Sequence, residues 1–383
     1  MKKLLLGLLP MSVLIGAFAM AVTTPPPSPL VVLGYNDLGM HCMNNDFSEI
    51  CVLPPANTLR ATVIRRGSSP EILKENVVVN FSILGNTRSD NKVNFWSYDQ
   101  QLFGVNLPAN VGLFGYGLAG QMARQADGDW GAPGIPITPV TDAGVYDAYQ
   151  LATITAKAGT MVGRTQAVIP VSWEMNCNAC HNTPGISVAT DILRAHDRLH
   201  NTDLEHQKPV LCAKCHADPA LGAAGQPGIS TLSHAMHGAH ASRMGRMDRD
   251  NLCYSCHPGP RTQCLRDIHK SRGMNCQSCH GGMVQVANPT RTPWVDEPRC
   301  GSCHNVPGHE YEQPGKLFRD SIGHNGVKCI ACHGSPHAIT PTMNPRDNVQ
   351  AINYQGFAGT IQKCTVCHTT TPDDPFNHTR HGD

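Results

Sequence analysis

Aromatic side chains make up only 5% of this 383-residue chain and charged ones only 15%, against roughly 25% charged in an average soluble domain. With so few rings, an interior of the size this length implies needs some other filler. Basic and acidic residues nearly cancel, 30 against 29, so the positive field expected of a nucleic-acid partner is missing. Beyond the N-terminus no stretch approaches the ~20 apolar residues of a membrane span. Long secondary-structure periods are scarce in the second half. One helix is predicted there, over residues 188–200, with Thr190 or Asp191 near its start.

The N-terminus reads MKKLLLGLLPMSVLIGAFAMA, two lysines followed by an apolar run and small residues at Ala19 and Ala21. This is the layout of a secretory signal peptide, residues 1–21, cut after Ala21. Pro10 and Gly16 interrupt the run and argue against an uncleaved anchor, and no cysteine near the cut offers a lipid attachment point. The expectation is a secreted chain, periplasmic or at the cell surface, with no membrane span left after cleavage. Loss of Lys2 and Lys3 leaves 28 basic against 29 acidic residues. Residues 22–29, containing TTPPPSP, form an extended proline-rich linker.

What the chain does have is cysteine, 17 residues, and histidine, 20. Residues 30–172 hold only His41, Cys42 and Cys51 of these. Such a break in composition marks a domain boundary near Trp173, dividing a first half, 30–172, from a second, 173–383. Runs at 30–35, 61–64, 77–84, 150–156 and 166–173 are rich in β-branched residues, alternate in part with period two and are separated by turn formers. They predict an antiparallel β-sandwich-like domain. The glycine-rich segment within 104–139 predicts a long loop.

In the second half every CxxC is followed at once by histidine: CNACH (177–181), CAKCH (212–216), CYSCH (253–257), CQSCH (276–280), CGSCH (300–304), CIACH (329–333) and CTVCH (364–368). A zinc ribbon or a thioredoxin-type pair needs no such histidine, and seven coincidences have a chance of roughly one in 10⁹ against c-type haem attachment. In that chemistry the two cysteines form thioethers to one porphyrin and the histidine binds its iron. The attachment residues are Cys177, Cys180, Cys212, Cys215, Cys253, Cys256, Cys276, Cys279, Cys300, Cys303, Cys329, Cys332, Cys364 and Cys367. The proximal ligands are His181, His216, His257, His280, His304, His333 and His368. Seven covalent haems in so short a segment must stack, so the expected second domain is mostly irregular, sparsely helical and organised around haems.

Thirteen histidines lie outside the motifs, and seven would complete bis-histidine ligation throughout. The candidates are His196 on the predicted helix, His237 and His240 in LSHAMHGAH, His269 and His324 shortly before a motif, His337 shortly after one, and His378 beyond the last. Placements close to a motif suggest service to an adjacent haem. His381 is the alternative to His378, and either could also serve a neighbouring subunit. His200, His206, His234 and His309 read as solvated or hydrogen-bonding residues. The eleven methionines beyond Ala21 read mainly as gap fillers. With haem propionates ionised, the mature chain carries a charge of about −8 oxidised and about −15 reduced, so potentials should depend on pH.

With these motifs the second half resembles the multihaem c-type cytochromes of metal-reducing and syntrophic microbes. GYNDLGMHCMNNDFS, at 34–48, is similar to a β-rich segment that accompanies haem domains in such proteins. The resemblance implies electron transfer outside the cytoplasmic membrane, with other redox proteins as partners, and polymerisation into haem filaments as a further property of some members. Its rival is an oxidoreductase of the nitrite, hydroxylamine or tetrathionate type with one open-coordinated haem; the CxxCK motif of some such enzymes does not occur here. The expectation is an electron carrier rather than an enzyme; a third reading, compatible with it, makes the β half a docking module.

Three cysteines remain: Cys42, Cys51 and Cys264. A Cys42–Cys51 loop is the default disulfide and Cys42–Cys264 the alternative, stapling the two halves. A copper site at His41, Cys42 and Met43 is disfavoured because such ligands seldom come from consecutive residues. His41 stays open as an axial ligand in its own or an adjoining subunit.

Overall fold

The alternating apolar positions of the first half build paired strands. A computed structural model describes residues 28–244, 252–307, 311–373, 375 and 378. The signal segment, most of the proline-rich linker, His309 and His381 lie outside these. Strands β1 (Leu30–Asn36), β2 (His41–Cys42), β3 (Ile50–Cys51), β4 (Leu59–Arg65), β5 (Glu71–Ile72) and β6 (Val78–Ile83) are followed by helix α1 (Asp99–Phe103). Then come β7 (Ala119–Gln121), β8 (Ala123–Arg124), β9 (Trp130–Ala132), β10 (Leu151–Ala158), β11 (Met161–Val168) and β12 (Val171–Ser172).

One antiparallel sheet runs β1-β4-β9-β8 with β5 on β4, and the other runs β11-β10-β6-β7. Burial alternates along β10 as a period-two strand requires, whereas β1 is buried throughout. The sheets meet closely at Gly34, where a Cβ would lie 2.6 Å from Ile154 Cδ1. Leu30, Val32, Val63, Val79, Phe81 and Ile154 belong to the core so formed. The predicted run at 166–173 is two strands, because Pro170 has no N–H to continue β11. The long loop expected within 104–139 is irregular only up to β7; β7, β8 and β9 fall inside it and pair into the two sheets, which corrects that expectation.

In the second half, β13 (Val210–Leu211) pairs in parallel with β3. The predicted helix is α2 (Val188–His200), but its N-cap is Ser187, whose hydroxyl accepts from Thr190 N–H at 3.0 Å. A second helix, α3 (Leu232–Met244), was not expected. Few buried apolar residues come from this half, and among them Leu211, Ala213, Ile330, Ala331 and Val366 pack in clusters with the sheets. The described fold is thus antiparallel sheet with a sparsely helical, irregular remainder.

The two halves are joined through polar contacts as well as apolar ones. Tyr354 donates to Val32 O at 2.8 Å and accepts from Val32 N–H at 3.1 Å. Lys328, one residue before a CxxCH motif, pairs with Asp127. Arg346 pairs with Asp147 across the same boundary, while within the second half Arg266 forms a buried two-pronged pair with Asp347, at 2.6 and 2.9 Å. No described helix is long and apolar enough to cross a membrane.

Candidate metal centres

Each CxxCH segment folds as one tight turn. At 177–181 the His181 N–H donates to Cys177 O at 2.8 Å, and the same bond closes the turns of His216, His257, His304 and His368 at 2.8–3.1 Å. The segments Cys276–His280 and Cys329–His333 are single α-helical turns, the first capped by Asn275. A four-residue turn brings the histidine round to the side of the first cysteine, as attachment to one macrocycle requires.

A second imidazole stands opposite every motif histidine. Ring centres are separated by 6.4 Å for His181 and His240, 6.4 Å for His216 and His196, and 6.1 Å for His257 and His237. The remaining separations are 6.0 Å for His280 and His337, 6.1 Å for His304 and His269, 5.8 Å for His333 and His378, and 6.1 Å for His368 and His324. With metal–imidazole bonds of about 2 Å and about 1.1 Å from ring centre to nitrogen, two rings on opposite sides of one metal have centres roughly 6 Å apart. The residues therefore fit axial ligation of a haem. Among the described residues no three or more His, Cys, Asp or Glu converge to hold a metal. Two imidazoles leave a metal's other positions to be supplied by something else, as a porphyrin does.

Hydrogen bonding fixes which ring nitrogen is bare. Nδ1 of His237 donates to Ser233 O at 2.7 Å, of His240 to Met236 O at 2.6 Å, of His216 to Ser230 O at 2.8 Å and of His368 to Ser68 O at 3.1 Å. Carbonyls only accept, so in the neutral ring Nε2 carries the lone pair. Nδ1 of His269 faces Asp267 at 3.1 Å and that of His196 faces Thr202 at 2.9 Å. Burial holds His257, His280 and His333 down to about 4, each helped by neighbouring histidines, so they are neutral near pH 7. His337 differs: burial lowers it, but Cys264, aided by Asp267, outweighs burial and raises its proton affinity.

The pairs lie in series. The first turn of α2 reaches the His181 turn, where Thr183 N–H donates to Asp191 at 3.1 Å, while His196 in its last turns faces His216. His237 and His240, one turn apart on α3, bring the His257 and His181 pairs together. Cys253 is within electrostatic reach of Cys276, Cys279 of Cys303, and Cys300 of Cys329. Cys332 likewise reaches Cys367. The spatial order of motif histidines is therefore 216, 181, 257, 280, 304, 333, 368.

Other sequence candidates lie elsewhere. The Nε2 of His41 is bonded to Pro54 O at 2.7 Å, and burial lowers this ring to about 4; that nitrogen is engaged and cannot face a metal. His234 directs Nδ1 to Ala287 O at 2.7 Å, His206 pairs with Asp203 at 2.5 Å, and His200 lies 4.8 Å from His196. Cys42 and Cys51 sit on strands with different partners and form no disulfide with each other or with Cys264, so the expected Cys42–Cys51 loop and its Cys42–Cys264 alternative are both corrected. Cys42 senses Cys264, and Cys51 senses Cys212. Sequence reasoning missed Asp267 beside His269, and it singled out Cys264 only as a leftover cysteine, not as the neighbour of His337; no motif signals either contact. Comparison with protein-family models, curated proteins and solved structures finds no match.

Proposed function

We propose that the chain is a heptahaem c-type cytochrome that carries electrons along a series of seven bis-histidine haems outside the cytoplasmic membrane. The single observation that carries this reading is the opposite imidazole at each of the seven CxxCH histidines. When bound, each haem supplies a one-electron iron centre. The chain's residues supply the rest: cysteines at one turn's spacing for attachment, imidazoles on both faces, and acceptors for Nδ1 that keep Nε2 directed inward. The sparse apolar packing of the second half supports haems as its filler, and the two sheets support the β-sandwich-like reading of the first.

The alternative, an enzyme with an open coordination site, needs a motif histidine without an opposite ring, and none favours it. All seven opposite histidines come from the same chain, so assembly into a homopolymer would rest on surface contacts rather than on shared ligands. Partners are other redox proteins, reached from the end pairs at His216 and His368. Electron paramagnetic resonance of the oxidised protein tests the reading: seven low-spin ferric centres and no response to carbon monoxide after reduction are expected. One equivalent of high-spin ferric signal, or carbon monoxide binding, would contradict it.

A further inference from the structure

Seven of the paired histidines, His196, His216, His237, His240, His269, His333 and His368, place Nδ1 against an oxygen; His337 places it against sulfur. Cys264 Sγ lies 3.7 Å from His337 Nδ1, within reach for an N–H donor to sulfur. The backbone around His337 is unusual too. Its φ is +65°, in the left-handed region that is strained for a non-glycine residue. Three contacts hold it there. Arg266 N–H donates to His337 O at 3.0 Å. Ser335 donates to Asn36 O. Gly39 (φ +80°) lies so close that a Cβ would be 2.5 Å from Pro336 O and 3.5 Å from His337 Nδ1. Cys264 is itself fixed, its N–H donating to Pro258 O at 3.2 Å and its carbonyl accepting from the buried Arg266 at 3.1 Å.

We infer that Cys264 is a positioning residue for the central haem of the series: its sulfur accepts the Nδ1–H of His337, setting the ring plane and strengthening Nε2 as a ligand opposite His280. The inference rests on the bis-histidine reading above. An acceptor on the far nitrogen of an axial imidazole raises its basicity and favours the oxidised metal, which lowers the potential. The leftover cysteine so acquires a role without any change of bonding, and the segment LGMHC of the β half acquires one as well, since Gly39 packs closely against Pro336 and His337.

The test is a spectroelectrochemical titration of the fully haem-loaded protein and its Cys264→Ala, Cys264→Ser and Cys42→Ala variants, with His337→Met marking which of the seven steps belongs to this pair. Cys264→Ala is expected to move that one step to higher potential and leave six in place, Cys264→Ser to restore it, and Cys42→Ala to leave it unchanged. Intact mass confirms seven haems in each variant. If every centre is low-spin yet Cys264→Ala moves no step or all of them, or Cys42→Ala reproduces its shift as a broken disulfide would, the inference falls. A high-spin centre in the unmodified protein would instead remove the bis-histidine reading beneath it.

Discussion

At the residue scale, His41 separates two roles that a histidine can take here. The imidazoles of His216, His237, His240 and His368 turn Nδ1 to a carbonyl and leave Nε2 bare, whereas His41 is buried, 8% exposed, and binds Pro54 O through Nε2. Its folded-state value of about 4 lies below the ordinary 6.5. A depressed histidine contributes stability that is fully present above pH 6.5 and is lost as pH falls towards 4, where the loss levels off. The shift corresponds to about 3 kcal/mol. Denaturant unfolding of the unmodified protein and of His41→Gln, followed by far-ultraviolet circular dichroism from pH 7 to pH 4, checks this. The difference between their slopes should be confined to that window; parallel curves would remove His41 as a source of acid sensitivity. His41 also shows what sequence leaves open, since nothing in LGMHCMN says that its nitrogen turns to a carbonyl thirteen residues on.

At the element scale, α3 is the part that organises neighbouring centres. LSHAMHGAH places three histidines at successive i, i+3 spacings, and the helix gives each a different environment. His237 and His240 face His257 and His181, while His234 turns Nδ1 to Ala287 O. Replacing His237 or His240 by alanine should convert one ferric centre to high spin in each case, read by paramagnetic resonance, and His234→Ala should convert none. A high-spin centre in His234→Ala alone would reverse the assignment. The helix was not legible in the sequence because Gly238 and the histidines leave it no apolar stripe, so its support is tertiary. The seven opposing histidines were legible as a surplus, but their partners were not. Closeness to a motif suggested service to an adjacent haem; instead His337, four residues after His333, faces His280, His324 faces His368 beyond the nearest motif, and His269 faces His304 rather than His280. On the proposed reading the two ligands would approach a haem from opposite faces, and the four residues from His333 to His337 span at most about 14 Å, too little to pass round a macrocycle and return. Long-range folding has to supply the second face.

At the scale of the whole molecule, the composition break near Trp173 was real but the two halves are interlocked. β13 pairs with β3, Arg66 donates to Thr365 O and His368 O at 3.1 Å each, and Tyr354 bridges both backbone groups of Val32. Tyr354→Phe leaves a buried N–H and C=O in β1 without their partner and should cost about 1–3 kcal/mol. A single cooperative unfolding transition, shifted down by that amount, is expected; separate transitions for the β half and the haem half would refute the interlocking. Composition could announce the halves, but the edges that join them are set by short strands of two residues, too short to leave a period in the sequence.

The account stands most directly on where seven metals sit. A structure of the haem-loaded protein with iron located by its anomalous scattering should show seven irons, each between the Nε2 atoms of one of the seven histidine pairs, running from His216 through His181, His257, His280, His304 and His333 to His368. An iron with no imidazole opposite its motif histidine, or with a different residue there, would contradict it.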